Sequence, residues 1–287
     1  MQKLVLLVFV MVVVVLVQWL LKEFNFLKAH LLMFGICNLS IVPLRLTASD
    51  TSEMVNQVLF GEHFTILEKH KKWSKIKLFF DGYEGFIDNK QYKEIPEESY
   101  QFLSESKQYY AGELIDFITD NKNNLTTIPL GAHLPLFKDK KLQIGERIFT
   151  YEGNVCYTKL SKPSIIETAY LFLNTPYLWG GKSPFGIDCS GFTQTVYKLC
   201  GHHLLRDARE QATQGEVLSF IEESEPGDLA FFDNDEGHIT HVGIIMNDYN
   251  IIHAHGKVRI DKLDHSGIYN VDTQQHTHKL RVIKRFI

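Results

Sequence analysis

Cysteine is scarce in this chain. Its 287 residues hold four, Cys37, Cys156, Cys189 and Cys200, scattered and without a C-x-x-C pair. That spacing argues against a disulfide scaffold and against a structural zinc site. Clustered charge is lacking as well. Lys and Arg total 30 and Asp and Glu 34, for a net charge of -4 at pH 7. No basic stripe or arginine cluster marks a nucleic-acid surface, so no nucleic-acid partner is expected. Composition is otherwise ordinary, with 45% hydrophobic and 12% aromatic residues, and the length suggests about two domains.

The exception is the N-terminus. "LVLLVFVMVVVVLVQWLL", residues 4–21, carries no charge and is long enough to cross a bilayer. The "QWLLKEFNF" that follows lacks the small residues of a cleavable signal. Lys3 precedes the run while Lys22 and Lys28 follow it, so orientation stays open. Two readings stand side by side. Residues 1–32 form a membrane anchor, or they are an over-extended start and a soluble chain opens at Met33 with "MFGICNLSIVPLR".

From residue 41 to 92 the pattern is one of short strands. "EHFTILEKH" and "WSKIKLFF" alternate apolar and polar residues, and "FFDGYEG" supplies an Asp-Gly turn, which predicts a small SH3-like β-barrel. A polar crossing leads to a second strand-rich stretch at residues 128–160, read as a second barrel. Beyond "SKP", Ser164 and Glu167 have capping-box spacing and start a predicted helix that Pro176 stops. A second helix is predicted from Cys189 or Ser190, ending at Gly201. Strands then return in "HVGIIM", "IIHAH", "KVRI" and "LRVIKRF". The C-terminal part is therefore expected to be α+β, helices packed on an antiparallel sheet. The expected domains are 33–92, 93–160 (linker included) and 161–287.

"PFGIDCSGF", residues 184–192, sets Cys189 at the predicted start of that helix, where unpaired N–H groups and the helix dipole favour a thiolate over the ordinary thiol. His241, His253 and His255 fall on strands and can share a face, because side chains alternate. Nucleophile, base and orienter are thus available for nucleophilic catalysis. A zinc reading of Cys189, His241 and His253 lacks the fourth ligand and the tight spacing of a structural site; no metal and no cofactor is expected. His202, His203, His276 and His278 are expected to be solvated, and the other cysteines to be core or surface residues.

"TPYLWGGKSPFGIDCSGF", "LLRDAREQATQG", "EPGDLAFF", "HVGIIM" and "IIHAHGKV" resemble, in order, the NlpC family of papain-like cell-wall cysteine peptidases, over about residues 164–287. "TSEMVNQVLFGE" and "DGYEGFID" resemble the first barrel of that family's γ-D-glutamyl-L-diamino acid endopeptidases, which carry two SH3-like barrels ahead of the catalytic domain. The resemblance implies a papain-like fold, with Cys189 as nucleophile, His241 as base and His253 as the third member. It also implies Tyr177 at the oxyanion, and Trp179, Asp188, Ser190, Arg206 and Asp207 along the substrate pocket. Glu53 and Tyr83 of the first barrel would close the site. Asp188 and Glu53 suit a substrate ammonium, and Arg206 suits either the acidic network or a carboxylate. Two positions depart from the family: it often has serine where His255 stands, and some members have serine at Ala208. A hairpin loop at 247–249 would put His255, not His253, opposite His241.

The expected activity is hydrolysis of the γ-D-glutamyl–diamino acid bond in peptidoglycan stem peptides or muropeptides. An amidase or acyltransferase on the same frame, or a cell-wall binding protein without catalysis, are the competing readings. Location at the cell envelope follows from the anchor reading, and a cytoplasmic one from a start at Met33.

Overall fold

Short alternating segments hide an apolar face by pairing edge to edge and curling. The computed structural model describes residues 32–287. Its first seven strands are β1 (Met33–Ile36), β2 (Ile41–Arg45), β3 (Met54–Leu59), β4 (His63–Lys69), β5 (Trp73–Leu78), β6 (Glu84–Asp88) and β7 (Lys93–Ile95). They pair in the order β3-β2-β6-β5-β4-β1-β7. Across β4 and β5, Phe64 faces Leu78 and Ile66 faces Ile76, all buried. The β5–β6 turn needs Gly82, whose φ is +72°, a backbone region costly for residues with a Cβ.

After α1 (Glu97–Glu105) come β8 (Tyr110–Ala111), β9 (Ile115–Asp120), β10 (Leu125–Pro129), β11 (Lys141–Ile144), β12 (Arg147–Tyr151) and β13 (Val155–Cys156). Four of them form a sheet in the order β10-β9-β12-β11, and β8 pairs with β13. Ile118, Ile128, Leu142 and Phe149 make their core, joined by Ile36 and Phe60 from the first sheet.

The chain then turns helical. α2 (Lys162–Tyr170) starts before the expected capping box, with Ser161 at the N-cap and a proline in its first turn. A proline there loses nothing, because its missing N–H would have had no helical partner. After the hairpin β14 (Lys182–Ser183) and β15 (Gly186–Ile187) comes α3 (Cys189–Leu199), buried along its whole length. Gly201, at φ +76°, follows its end as a left-handed terminator. α4 (Ala208–Gln211) carries a capping box made by Asp207 and Glu210.

The remaining strands are β16 (Glu216–Leu218), β17 (Leu229–Asp233), β18 (Ile239–Met246), β19 (Asn250–His255), β20 (Lys257–Asp264), β21 (Gly267–Asn270) and β22 (Gln275–Arg285). They pair in the order β16-β22-β17-β18-β19-β20-β21, and a β21–β22 pairing closes β17 to β22 on themselves. Val242, Ile244, Ile252 and Ala254 share a core with Phe192 and Val196 of α3. Phe232, Ile245, Ile251 and Leu263 form a separate core on the other face. Alternation therefore sends His241 and His253 to the face of Ile245 and Ile251. The expected balance of helix and sheet is shifted: the described residues are mostly strand, and α3 is the one helix among them buried throughout.

The apolar run at 4–21, and with it the expected membrane association, lies outside the described residues. Among the described residues no helix is long and apolar enough to cross a membrane.

Phe34–Ile287 forms one compact unit, and buried polar contacts bind its first sheet to α3 and its flanking loops. Glu62 accepts from Lys182 Nζ at 3.1 Å and from Lys198 Nζ at 3.3 Å. Gln57 Oε1 accepts the Lys182 backbone N–H at 2.8 Å, and Asp81 accepts from Gln194 at 2.9 Å. The approach is close enough that a Cβ on Gly180, at φ +73°, would lie 2.4 Å from the Met54 carbonyl oxygen. Burial opposes ionisation of Glu62, but the two ammonium groups outweigh it and hold the carboxyl down to about 2. Two cations share one anion, and burial pushes Lys198 down to about 8.

Glu62 thus has a depressed pKa in the fold, so its stabilisation is present above the ordinary carboxylate range and is lost as pH falls toward about 2. Glu62→Gln leaves two buried ammonium groups without their anion and is expected to cost ~3–5 kcal/mol. The measurement is the urea midpoint at unchanged m. A midpoint equal to wild type would mean that the two lysines do not depend on Glu62.

Candidate active site

Asp188 decides the local geometry. Its side chain caps α3 by accepting the Gly191 N–H at 2.6 Å, and so fixes Cys189 as the first residue of the helix. The same carboxylate accepts the Gly180 N–H at 2.9 Å and binds Arg206 through Nη1 at 3.0 Å and Nη2 at 2.7 Å. Arg206 is 1% exposed, and its Nε reaches Asn56 Oδ1 on β3 at 2.8 Å. Such bidentate pairs are the strong, geometrically specific ones. Arg206 thus takes the first of its two expected roles, support of the acidic network, while Asp188 also lines the cleft beside Cys189.

The helix start does not make Cys189 a thiolate. Burial, reinforced by the Asp188 carboxylate, pushes its thiol up to about 12 against the nearby Val242 and Ser190 N–H groups. The lowering expected from the helix start is outweighed, first by burial and then by the Asp188 carboxylate at the N-cap. The Cys189 thiol lies 4.0 Å from the carbonyl oxygen of Thr240.

The next residue is His241. Its Nε2 meets His253 Nδ1 at 2.8 Å, and His253 Nε2 meets Asp261 Oδ2 at 3.0 Å. Arg259 closes the chain, its Nε 2.8 Å from the same Asp261 oxygen. Burial opposes ionisation of Asp261, yet the bonds from His253 and Arg259 hold its carboxyl below the usual range. Burial and the surrounding imidazoles keep His241 well below its ordinary value, and hence neutral. With Nε2 taken, Nδ1 is the nitrogen left for a thiol. No Cys189–His241 hydrogen bond is formed; the structure brings together the imidazole relay and sets the thiol beside the backbone of the same strand.

The hairpin has the loop read from the sequence: Met246 pairs with Asn250 and Gly243 with His253. Continuing that register puts His255 across from His241, yet its ring is 6.5 Å away while His253 makes the bond. Asp261 was not anticipated. Its signal is its place on the strand next to His253, two residues after Arg259, with side chains on the same face. His278 was expected in solvent; it is instead stacked on His241, ring centroids 4.1 Å apart. Of the other three, His202 bonds the Leu160 carbonyl at 3.0 Å, while the exposed His203 and His276 bond the Phe80 carbonyl and, at 2.9 Å, Asp264. Among the described residues no group of three or more His, Cys, Asp or Glu side chains is arranged to hold a metal ion.

A cleft of ≈ 500 Å³ opens above the thiol, lined by Cys189, Ser190, Asp207 and Trp179 on one side and, on the other, by Glu53 and Tyr83, which immediately precede β3 and β6. Trp179 Nε1 donates to Glu53 Oε1 at 2.5 Å, across the cleft. Burial, with the Asp207 carboxylate nearby, keeps the Tyr83 phenol protonated, and burial pushes the Asp207 carboxyl up. Tyr177 is half-buried, and burial and Cys189 raise its phenol. His241 is buried and does not line this cleft.

A neutral resting thiol has a kinetic signature. Alkylation of Cys189 by iodoacetamide, followed by peptide mapping, is expected to stay slow at pH 7 and to rise through pH 10 without a plateau, given a thiol pushed up to about 12. A plateau already reached at neutral pH would reveal a preformed thiolate–imidazolium pair.

The NlpC/P60 family model matches residues 174–279, and that of the bacterial dipeptidyl-peptidase SH3 domain matches residues 44–91. A γ-D-glutamyl-L-lysine dipeptidyl-peptidase of Bacillus cereus is 26% identical over 237 residues, 73% of this chain and 70% of its own. The Bacillus subtilis protein of the same name is 37% identical over 134 residues, 45% of either chain. Among solved structures, an NlpC/P60 family protein from Bacillus cereus superposes with a TM-score of 0.74 at 21% identity, covering 88% of this chain and 99% of that one. The match to the first family model takes in α3 and the imidazole relay, and that to the second the Glu53 and Tyr83 wall of the cleft: this chain carries an NlpC/P60 domain of papain-like fold, preceded by a bacterial SH3 domain.

Proposed function

We propose that the protein is a cysteine endopeptidase that hydrolyses the γ-D-glutamyl–diamino acid bond of peptidoglycan stem peptides or muropeptides at the cell envelope. The observation that carries this reading is Cys189 in a cleft walled by Glu53 and Tyr83, beside the strand that bears the His241–His253–Asp261 relay. Residues 33–92 act as one SH3-like barrel, 93–160 as linker and a second, and 161–287 as the peptidase.

Substrate seats its γ-carbonyl over Cys189, and the thiol turns from the Thr240 carbonyl toward His241 Nδ1. Catalytic contacts are commonly loose in the free enzyme and tighten in the complex. His241 takes the thiol proton as sulfur attacks, and a C–S bond forms at the γ-carbonyl. Tyr177, with backbone N–H groups near Cys189, stabilises the tetrahedral oxyanion. His241 then gives the proton to the departing amine of the diamino acid, leaving a thioester. Water, deprotonated by the same imidazole, releases the γ-D-glutamyl product and the free thiol. His253, held by Asp261, keeps His241 in the tautomer that leaves Nδ1 unprotonated.

Glu53 supplies specificity. A free α-ammonium on the residue before D-glutamate replaces the Trp179 N–H as its partner, whereas an amide there brings no charge to a cleft already lined by acidic groups. Trp179, Ser190 and Asp207 form the rest of the wall.

Cys189→Ala is expected to lower turnover of an L-Ala-γ-D-Glu-L-Lys peptide by a factor on the order of 10⁴ or more, with Cys200→Ala near wild type; activity surviving in the first variant would exclude the thiol mechanism. His253→Ala should cost more than His255→Ala, and the reverse order would transfer the orienting role. Wild type should cut the free peptide faster than its N-acetyl form, and Glu53→Gln should narrow the gap by about 1.5–3 kcal/mol, the worth of a charge-assisted bond. Equal rates on both peptides in wild type would remove the first sheet from substrate selection.

A further inference from the structure

His241 is held in its own plane by one hydrogen bond, from Nε2 to His253 Nδ1 at 2.8 Å. That bond and the covalent tether at Cγ set the mean position of the ring, and contacts on its faces limit the remaining swing that carries Nδ1 through an arc. A second restraint, on the face of the ring, is needed to aim Nδ1. His278 supplies a face. Its ring lies over His241 with centroids 4.1 Å apart and planes tilted by 26°.

His278 reaches this place because the barrel closes. β22 pairs with β17 and β21 at once, and Phe232 of β17, the cross-strand neighbour of His241 on β18, also touches His278. The ring of His278 is itself fixed. Thr277 Oγ1 lies 2.8 Å from its Nδ1, and His255 meets it edge to face at 4.8 Å. We propose that His278 is a positioning residue, which holds the face of the His241 imidazole and so points Nδ1 toward Cys189. This rests on His241 being the base of the proposed hydrolysis.

The stack joins two uncharged rings. Burial, with His253 and His255 of β19 adding their repulsion, pushes His278 down to about 4 against the pull of Asp261 on β20. No charge then opposes the contact in neutral solution, and a flat apolar ring of similar size should serve as well. Orientation is worth large factors in rate, because a misaimed group must find its geometry anew in each turnover.

The test compares His278→Ala with His278→Phe in the full chain. His278→Ala is expected to lower kcat about 10- to 50-fold with KM within a factor of about two, and His278→Phe to stay within about threefold of wild type. Histidine-labelled NMR gives a readout that needs no substrate. The His241 ring protons should move downfield and broaden in His278→Ala, as the ring current and the restraint are lost together, and should stay narrow in His278→Phe. Unchanged or raised kcat in His278→Ala, equal damage from both substitutions, or His241 resonances as narrow in His278→Ala as in wild type would each overturn the assignment. NMR behaviour as expected in a protein that cleaves no γ-D-glutamyl peptide would instead leave the stack as the restraint on His241 and sink the hydrolytic reading.

Discussion

One buried ion pair organises the site. Asp188 and Arg206 bind each other through two contacts of 3.0 and 2.7 Å, and each partner holds a different piece of the molecule. Through Asp188 the pair fixes where α3 begins, and therefore where Cys189 sits. Through Arg206 Nε it reaches Asn56, so the first sheet is tied to the same point. A buried pair of this kind adds little net stability over an apolar replacement, because desolvation offsets its attraction. What it contributes is position: the walls of the cleft cannot shift independently of the nucleophile.

That arrangement has an electrostatic consequence. An anion at the N-cap lies beside the thiol and, with burial, keeps it protonated. Burial lowers both imidazoles of the relay as well, His241 and His253. In the proposed reaction, proton transfer therefore waits for the moment when substrate carries the thiol toward His241. Two further acidic groups, Glu53 and Asp207, stand at the cleft wall, and in the proposed function they bear on what enters.

Much of this was legible in the sequence where causes are local. The start of α3 follows from the turn at "GIDCSG" and the apolar spacing of Phe192, Val196 and Leu199, and the β18–β19 register follows from a short loop. The fate of a side chain after folding was less legible. Register alone favours His255 as the partner of His241, but ring geometry gives the bond to His253, one diagonal away, with His255 left exposed. Asp261 is one acidic residue among 34, and only the β19–β20 pairing singles it out. His278 is harder still to find, because its neighbours arrive through a closure between strands distant in the chain. Arg206 left two roles open when read alone, and only its meeting with Asp188 shows the acidic network to be the one it takes.

The measurement that bears most directly on the central claim is the mass of the products from L-Ala-γ-D-Glu-L-Lys-D-Ala, digested by the wild-type protein and by Cys189→Ala in parallel. A γ-D-glutamyl peptidase acting through Cys189 gives L-Ala-D-Glu and L-Lys-D-Ala as the first products, and neither from the variant. Scission at another bond, or the same two products from Cys189→Ala, would contradict it.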